Sequence, residues 1–186
     1  STAQRAAELT QQLLAYSGKG KFVIEPVNLN QLILGMGKLL SVSISNNIHI
    51  DYQLAPDLPN IEGDRAQVQQ VIMNLIINAS EALENNTGLI RIKTDVTNAT
   101  LTGTANHVYL EIHDTGCGMD RETRDRLFEP FFTTKFTGRG LGMSAVLGII
   151  RGHNGTIDVD SVPGRGTTFR LVFPCIDSPV AKDTTD

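Results

Sequence analysis

The chain has 186 residues, 20 acidic against 16 basic for a formal net charge of −4, and is 40% hydrophobic. That size suits one domain with short appendages, and no apolar run approaches the roughly 20 residues that a membrane-spanning helix needs. The acidic balance argues against a nucleic-acid partner, whose phosphates require a basic patch. The two cysteines, Cys117 and Cys175, form no C-x-x-C pair, which excludes zinc and dithiol motifs and fits a reducing compartment. No basic and then apolar leader opens the chain, so a cytoplasmic location is expected.

Residues 3–17 are rich in helix formers and end at Gly18-Lys19-Gly20, which predicts a helix, read as the tail of a longer one. A short strand is expected over 22–25, broken by Pro26. Asn28 then caps a helix over about 29–40, with Leu29, Leu32, Ile33, Met36, Leu39 and Leu40 at helical spacing. Lys38 is no P-loop lysine, because Leu32 stands where the first glycine belongs and Leu39 replaces Ser or Thr. Ile48, Ile50 and Tyr52 alternate with polar residues and predict a half-buried strand over 47–54. A turn over 56–59 follows, and Asp64 opens the longest helix, expected to end near residue 85.

On that helix Val68, Val71, Ile72, Leu75, Ile76, Ala79, Ala82 and Leu83 form one apolar stripe. Asn74 and Asn78 stack at its border, four residues apart. Such a pair can mark a solvated flank, but the neighbouring Ala79 points to a cleft wall. An asparagine carbonyl is a hard oxygen ligand that suits Mg²⁺, which takes few protein ligands.

Alternating strands are expected over 89–96 and 107–113, joined as a hairpin by a polar loop over 97–106. Asp114 follows the second strand in D-T-G-C-G, where Gly116 and Gly118 allow positive φ and close approach to a ligand. Taken alone, this motif is weak and fits an ordinary turn better than a site. Residues 119–127 read as a short helix, and Phe128, Phe131 and Phe132 as an apolar cluster anchoring a loop. Thr133, Thr134, Lys135 and Arg139 come next, as the cationic tips of a phosphate lid. Gly140-Leu141-Gly142 opens a helix bearing Met143, Val146, Leu147 and Ile150, whose first N–H groups would face an anion. A final hairpin is expected from strands over 155–160 and 167–173. These parts read as a nucleotide enclosure, with Asp114 on the base and residues 138–142 on the phosphates.

On these motifs the chain resembles the catalytic, ATP-binding domain of sensor histidine kinases, within the superfamily of gyrase B, Hsp90 and MutL. Residues 68–82 are similar to the N box, 114–118 to the G1 box, 127–135 to the F box, 138–148 to the G2 box and 164–169 to the G3 strand. The resemblance implies a Bergerat-type α+β fold: a two-layer sandwich with a mixed sheet of about five strands and three main helices on one face. It implies that Asp114 accepts the adenine amino hydrogen, that Asn78 ligates Mg²⁺ on ATP, and that Asn74 supports the same wall. It gives the phosphates to Thr134, Lys135, Gly138, Arg139 and the Gly140, Leu141 and Gly142 segment, Lys135 acting in catalysis beside Asn74 and Asn78. Gly116 and Gly118 join the nucleotide site, and Thr167 lies beside the base. Residues 1–20 are similar to the end of the second phosphoacceptor-hairpin helix plus linker, 21–174 to the catalytic domain, and 175–186 form a polar tail or linker.

Two departures matter. None of His49, His107, His113 and His153 stands in a phosphoacceptor box, so each reads as structural and the acceptor histidine is expected elsewhere in the parent protein. Many family members carry Lys or Arg where this chain has Glu81. The hydrolysing branch places a glutamate one turn before the metal-binding Asn, and here Asn74 occupies that place. An amide cannot deprotonate water, so transfer to a histidine is expected over hydrolysis. The alternatives are a non-catalytic nucleotide-binding regulatory module or a gyrase- or MutL-like ATPase. Implied partners are the parent's phosphoacceptor and dimerisation hairpin and a response-regulator receiver domain, with the parent a homodimer.

Overall fold

The computed structural model describes residues 23–37, 39–40, 44–45, 47–84, 86–97, 107–134 and 140–176. The helix expected over 3–17, the tail, Lys38, the loop over 98–106, and Lys135, Gly138 and Arg139 lie outside the described residues. In chain order the elements are β1 (Glu25–Val27), α1 (Leu29–Gly35), β2 (Ile48–Leu54), β3 (Ile61–Gly63), α2 (Arg65–Ala82), β4 (Gly88–Thr97), β5 (His107–Asp114), α3 (Arg121–Arg126), α4 (Gly142–Gly152), β6 (Thr156–Val162) and β7 (Gly166–Pro174).

Alternation decides which face of the sheet is covered. Ile90 and Ile92 of β4, Val108, Leu110 and Ile112 of β5, and Phe169, Leu171 and Phe173 of β7 are buried on one face. They share a core with Leu29, Leu32 and Ile33 of α1, Val71, Ile72, Leu75 and Ile76 of α2, and Val146, Ile149 and Ile150 of α4. Each large apolar side chain so buried contributes about 1.5–3 kcal/mol of transfer free energy. The strand order is β2-β4-β5-β7-β6, with β2 parallel to β4 and the other pairs antiparallel. This is the mixed five-stranded, two-layer α+β fold that the resemblance implies.

The outer face carries polar pairs: Arg91 with Asp51 at 3.0 Å, Arg170 with Glu111 at 3.3 Å, and the Tyr109 hydroxyl donating to Glu111. His113 Nδ1 lies 2.9 Å from the Thr168 hydroxyl. His153 is buried: its Nε2 accepts the Asp64 N–H at 2.9 Å, so Nδ1 carries the proton and donates to the Ile149 carbonyl at 2.7 Å. Both rings hold the fold together.

The expected caps form. The Asn28 side chain accepts from Gln31 N–H at 3.1 Å, and Asp64 Oδ1 accepts from Ala66 and Gln67 N–H at 3.0 and 3.1 Å. The first strand differs from expectation, because β1 contains Pro26 and pairs antiparallel with β3 as a two-stranded ribbon. Proline is tolerated there because an edge strand can leave an N–H position unused. The helix expected over 29–40 is interrupted at Met36, whose N–H is shared between the Leu32 and Ile33 carbonyls beside Gly35 and Gly37. The long helix ends at Ala82, and the helix expected over 119–127 contracts to α3, capped by Asp120. Among the described residues no helix is long and apolar enough to cross a membrane.

Candidate nucleotide site

Asp114 is in phase with Val108, Leu110 and Ile112, so β5 delivers its carboxylate to the helical side of the sheet, where it is 2% exposed. Its Oδ1 accepts the Gly116 N–H at 2.8 Å, which fixes the carboxylate and starts the following loop. That loop is docked on the end of α2 by Cys117 N–H donating to the Ala82 carbonyl at 2.9 Å. A Cβ at position 116 would stand 2.6 Å from that same carbonyl oxygen, and one at Gly118 (φ +67°) 2.1 Å from the Val162 carbonyl oxygen. The close approach these glycines permit in this structure is to the chain's own backbone. Gly118 lines the cavity beyond, while Gly116 sits behind its wall.

A cavity of about 640 Å³ opens between α2, the Asp114 loop, the phenylalanine-rich loop and the start of α4. It brings together eight expected residues: Asn78, Asp114, Gly118, Thr134, Gly140, Leu141, Gly142 and Thr167. Thr167 pairs with Asp114 in the β5–β7 register, and its hydroxyl lies 3.0 Å from Ser161 Oγ. Asn78 lies on the α2 wall, where its Nδ2 donates to Met143 Sδ at 3.0 Å.

Asn74 does not line the cavity, contrary to expectation. Four residues along a helix are about 6 Å, enough to carry its amide past the cavity and beneath the wall. Its Nδ2 is buried with no hydrogen-bond partner among the described residues. Such an orphaned donor costs about 1–3 kcal/mol and suits an unseen acceptor.

The three phenylalanines do not form one cluster. Phe128 packs against the core, and Phe132 lines the cavity with the Arg126 guanidinium 4.3 Å from its ring centroid. Phe131 takes φ +67°, donates its N–H to the Gly140 carbonyl at 2.8 Å, and is 69% exposed. Pro130 and this left-handed residue turn the chain, so consecutive side chains cannot share one face.

At the other end α4 begins at Gly142, and its cap residue Leu141 makes no side-chain capping bond. Among the described residues the first N–H groups of that helix gain no bond from the cap side chain, an arrangement that suits an anion. Glu81 and Glu84 also line the space, and no Lys or Arg does among the described residues. No cluster of three or more His, Cys, Asp or Glu able to hold a metal occurs among the described residues. The lining offers the Asn78 amide oxygen and the Glu81 carboxylate, hard donors of the kind that would suit a cation such as Mg²⁺. The cavity thus holds a buried carboxylate among apolar and polar side chains and, at another point of its wall, a helix start without a side-chain cap.

The sequence reading missed Ser161. Its hydroxyl accepts the Met119 N–H at 2.8 Å and donates to the Gly166 carbonyl at 3.2 Å, tying the Asp114 loop to the β6–β7 turn. The signal was a small polar residue at a buried position next to the V-P-G-R-G turn. Cys117, read only as an unpaired cysteine, is exposed on the cavity wall.

Residues 63–176 match the model of the family described as histidine kinase-, DNA gyrase B- and HSP90-like ATPase. The sensor kinase CckA of Brucella abortus (strain 2308) is 35% identical over 96% of this chain, which spans only 21% of that relative's length. Full-length ShkA, solved in complex with AMPPNP, superposes with a TM-score of 0.77 at 23% identity, over 96% of this chain and 38% of that one. Histidine kinase ThkA, solved in complex with the response regulator TrrA, does so with a TM-score of 0.69 at 24% identity, over 94% of this chain and 48% of that one. The shared fold and the match across the cavity's walls lead to one conclusion: the chain belongs to the histidine kinase-, DNA gyrase B- and HSP90-like ATPase family.

Proposed function

We propose that this chain is the ATP-binding catalytic domain of a sensor histidine kinase. It transfers the γ-phosphoryl group of Mg-ATP to a histidine on the phosphoacceptor hairpin of its parent, for onward transfer to a response-regulator receiver domain. The observation that carries this reading is the pairing in one cavity of a buried carboxylate, Asp114, with an amide, Asn78, beside an uncapped helix start. In this reading residues 1–20 end the second hairpin helix, 21–174 form the catalytic domain and 175–186 are tail or linker. The parent is a cytoplasmically facing homodimer.

Asp114 accepts the amino hydrogen of adenine, a charge-assisted bond worth about 1.5–3 kcal/mol. Thr167 and the Asp114 loop hold the purine edge, while Leu127 and Phe132 exclude water from its faces. Asn78 offers its carbonyl oxygen to Mg²⁺, and the first N–H groups of α4 with Thr134, Lys135 and Arg139 hold the phosphate oxygens. Magnesium, when bound, supplies charge neutralisation along the phosphate tail. Asn74 backs the wall from behind the cavity and, being an amide, does not act as a base. The chain needs no general base, since neutral imidazole is itself a nucleophile and the enzyme's task is positioning.

The test is to mix this chain with a separately made phosphoacceptor hairpin and ATP labelled at the γ-position. Label on the hairpin histidine is expected. Release of free phosphate instead would make the chain a hydrolase, and no reaction would make it a regulatory nucleotide-binding module.

A further inference from the structure

We infer that Arg126 is a positioning residue for the nucleotide cavity, its guanidinium holding the Phe132 ring in place as part of the wall. This deepens the nucleotide-binding reading above and rests on it. Arg126 ends α3, and its Cζ lies 4.3 Å from the Phe132 ring centroid. Its Nε donates to Glu129 Oε2 at 3.1 Å, and its Nη1 lies 3.7 Å from Glu122 Oε1. Phe132 lines the cavity, whereas Arg126 stands behind that lining.

Burial alone does not keep Phe132 on the wall. The residue before it, Phe131, is left-handed and 69% exposed, so this turn has already sent one aromatic ring into solvent. Leu127 and Phe128 pack against the apolar core, and among the described residues Phe132 does not join them. Its ring is half-buried, with the cavity on one side. Arg126 supplies what packing does not. The negative face of an aromatic ring attracts a cation placed over it. A guanidinium meets such a face while its N–H groups still serve carboxylates, which an ammonium does less well. Glu122, from the start of α3, and Glu129, from the turn beyond it, hold the guanidinium from two directions. Ion pairs this exposed add little stability of their own, so their consequence here is orientation. Arg126 takes one face of Phe132 and leaves the rest of the ring to the cavity.

Met at position 126 keeps an unbranched stem and loses the charge, whereas Lys keeps the charge. Calorimetry on the full chain reads the affinities for Mg-ATP and for inorganic tripolyphosphate. A cation–π contact of ordinary strength predicts that Arg126→Met weakens Mg-ATP binding about two- to fivefold and that Arg126→Lys recovers most of the loss. Tripolyphosphate, which has no base to pack against the ring, should bind all three proteins alike. In a Phe132→Leu background, Arg126→Met should weaken Mg-ATP binding no further, because the ring through which it acts is gone. Parent-like Mg-ATP affinity in Arg126→Met, a Lys variant as weak as Met, or an undiminished loss in the Phe132→Leu background overturns the inference. Weaker tripolyphosphate binding by Arg126→Met overturns it too, since the charge would then act on the phosphates and not through the ring. A parent that binds no adenine nucleotide overturns the functional reading as well, whereas binding that Arg126→Met leaves unchanged overturns this inference alone.

Discussion

Replacing Asp114 by Asn isolates the base contact from the fold. The carboxylate is 2% exposed and its Oδ1 accepts the Gly116 N–H at 2.8 Å, a bond that an asparagine carbonyl can keep. What changes is the other half of the group, where an acceptor oxygen becomes an N–H₂ facing the purine's own amino hydrogens. Losing a hydrogen bond to a charged group costs about 1.5–3 kcal/mol, or about 10- to 150-fold in affinity. Asp114→Ala behaves differently, because it also strands the buried Gly116 N–H and should cost a further 1–3 kcal/mol or so of folding stability. Calorimetric titration with Mg-ATP reads the first effect and urea unfolding the second. Inorganic tripolyphosphate serves as a ligand without a base and should bind parent and Asn variant alike. An Asp114→Asn protein whose ATP affinity stays within about twofold of the parent would refute the assignment of adenine to this carboxylate.

Three further outcomes are expected. Asn78→Ala should remove most of the magnesium dependence of ATP binding, and titrations with and without Mg²⁺ that still differ as in the parent would exclude Asn78 as the ligand. Gly116→Ala drives a Cβ to 2.6 Å from the Ala82 carbonyl oxygen and should destabilise the chain by about 1–3 kcal/mol in urea unfolding, whereas Gly142→Ala, with open space around it, should change stability by less than about 0.5 kcal/mol. Equal stabilities of those two variants would contradict the docking of the loop on α2. Tyr109 has its pKa raised from 10.0 to about 12, first by burial and then by Glu111. A raised acid stabilises the fold while neutral, below its unfolded pKa, and that contribution is lost as pH rises through the folded value. Tyr109→Phe should therefore flatten the fall in stability between pH 10.0 and about 12, and parallel profiles would show that Tyr109 does not contribute to it.

The parts of the fold legible in the sequence are those written in repeated local signals. The stripe from Val68 to Leu83, the caps Asn28 and Asp64, and the alternation of β4, β5 and β7 each repeat one physical rule several times over. The β1–β3 ribbon was hidden because three residues are too few to show alternation, and Pro26 reads as a break when no partner strand is known. Site residues followed the same division. Asp114 was legible because it stands at the end of an alternating strand and just before two glycines. Asn74 and Asn78 share one helix edge, but the sequence cannot say how far along that edge the cavity reaches. The roles of Gly116 and Ser161 depend on what lies across from them, namely Ala82 and Met119, and such contacts between distant segments leave no local pattern.

A crystal structure of the chain with Mg²⁺ and a non-hydrolysable ATP analogue tests the account most directly. It should show the purine amino group on the Asp114 carboxylate and the metal on the Asn78 carbonyl oxygen, inside the cavity between α2 and α4. An analogue seated elsewhere, or one whose base and metal touch neither residue, would contradict it.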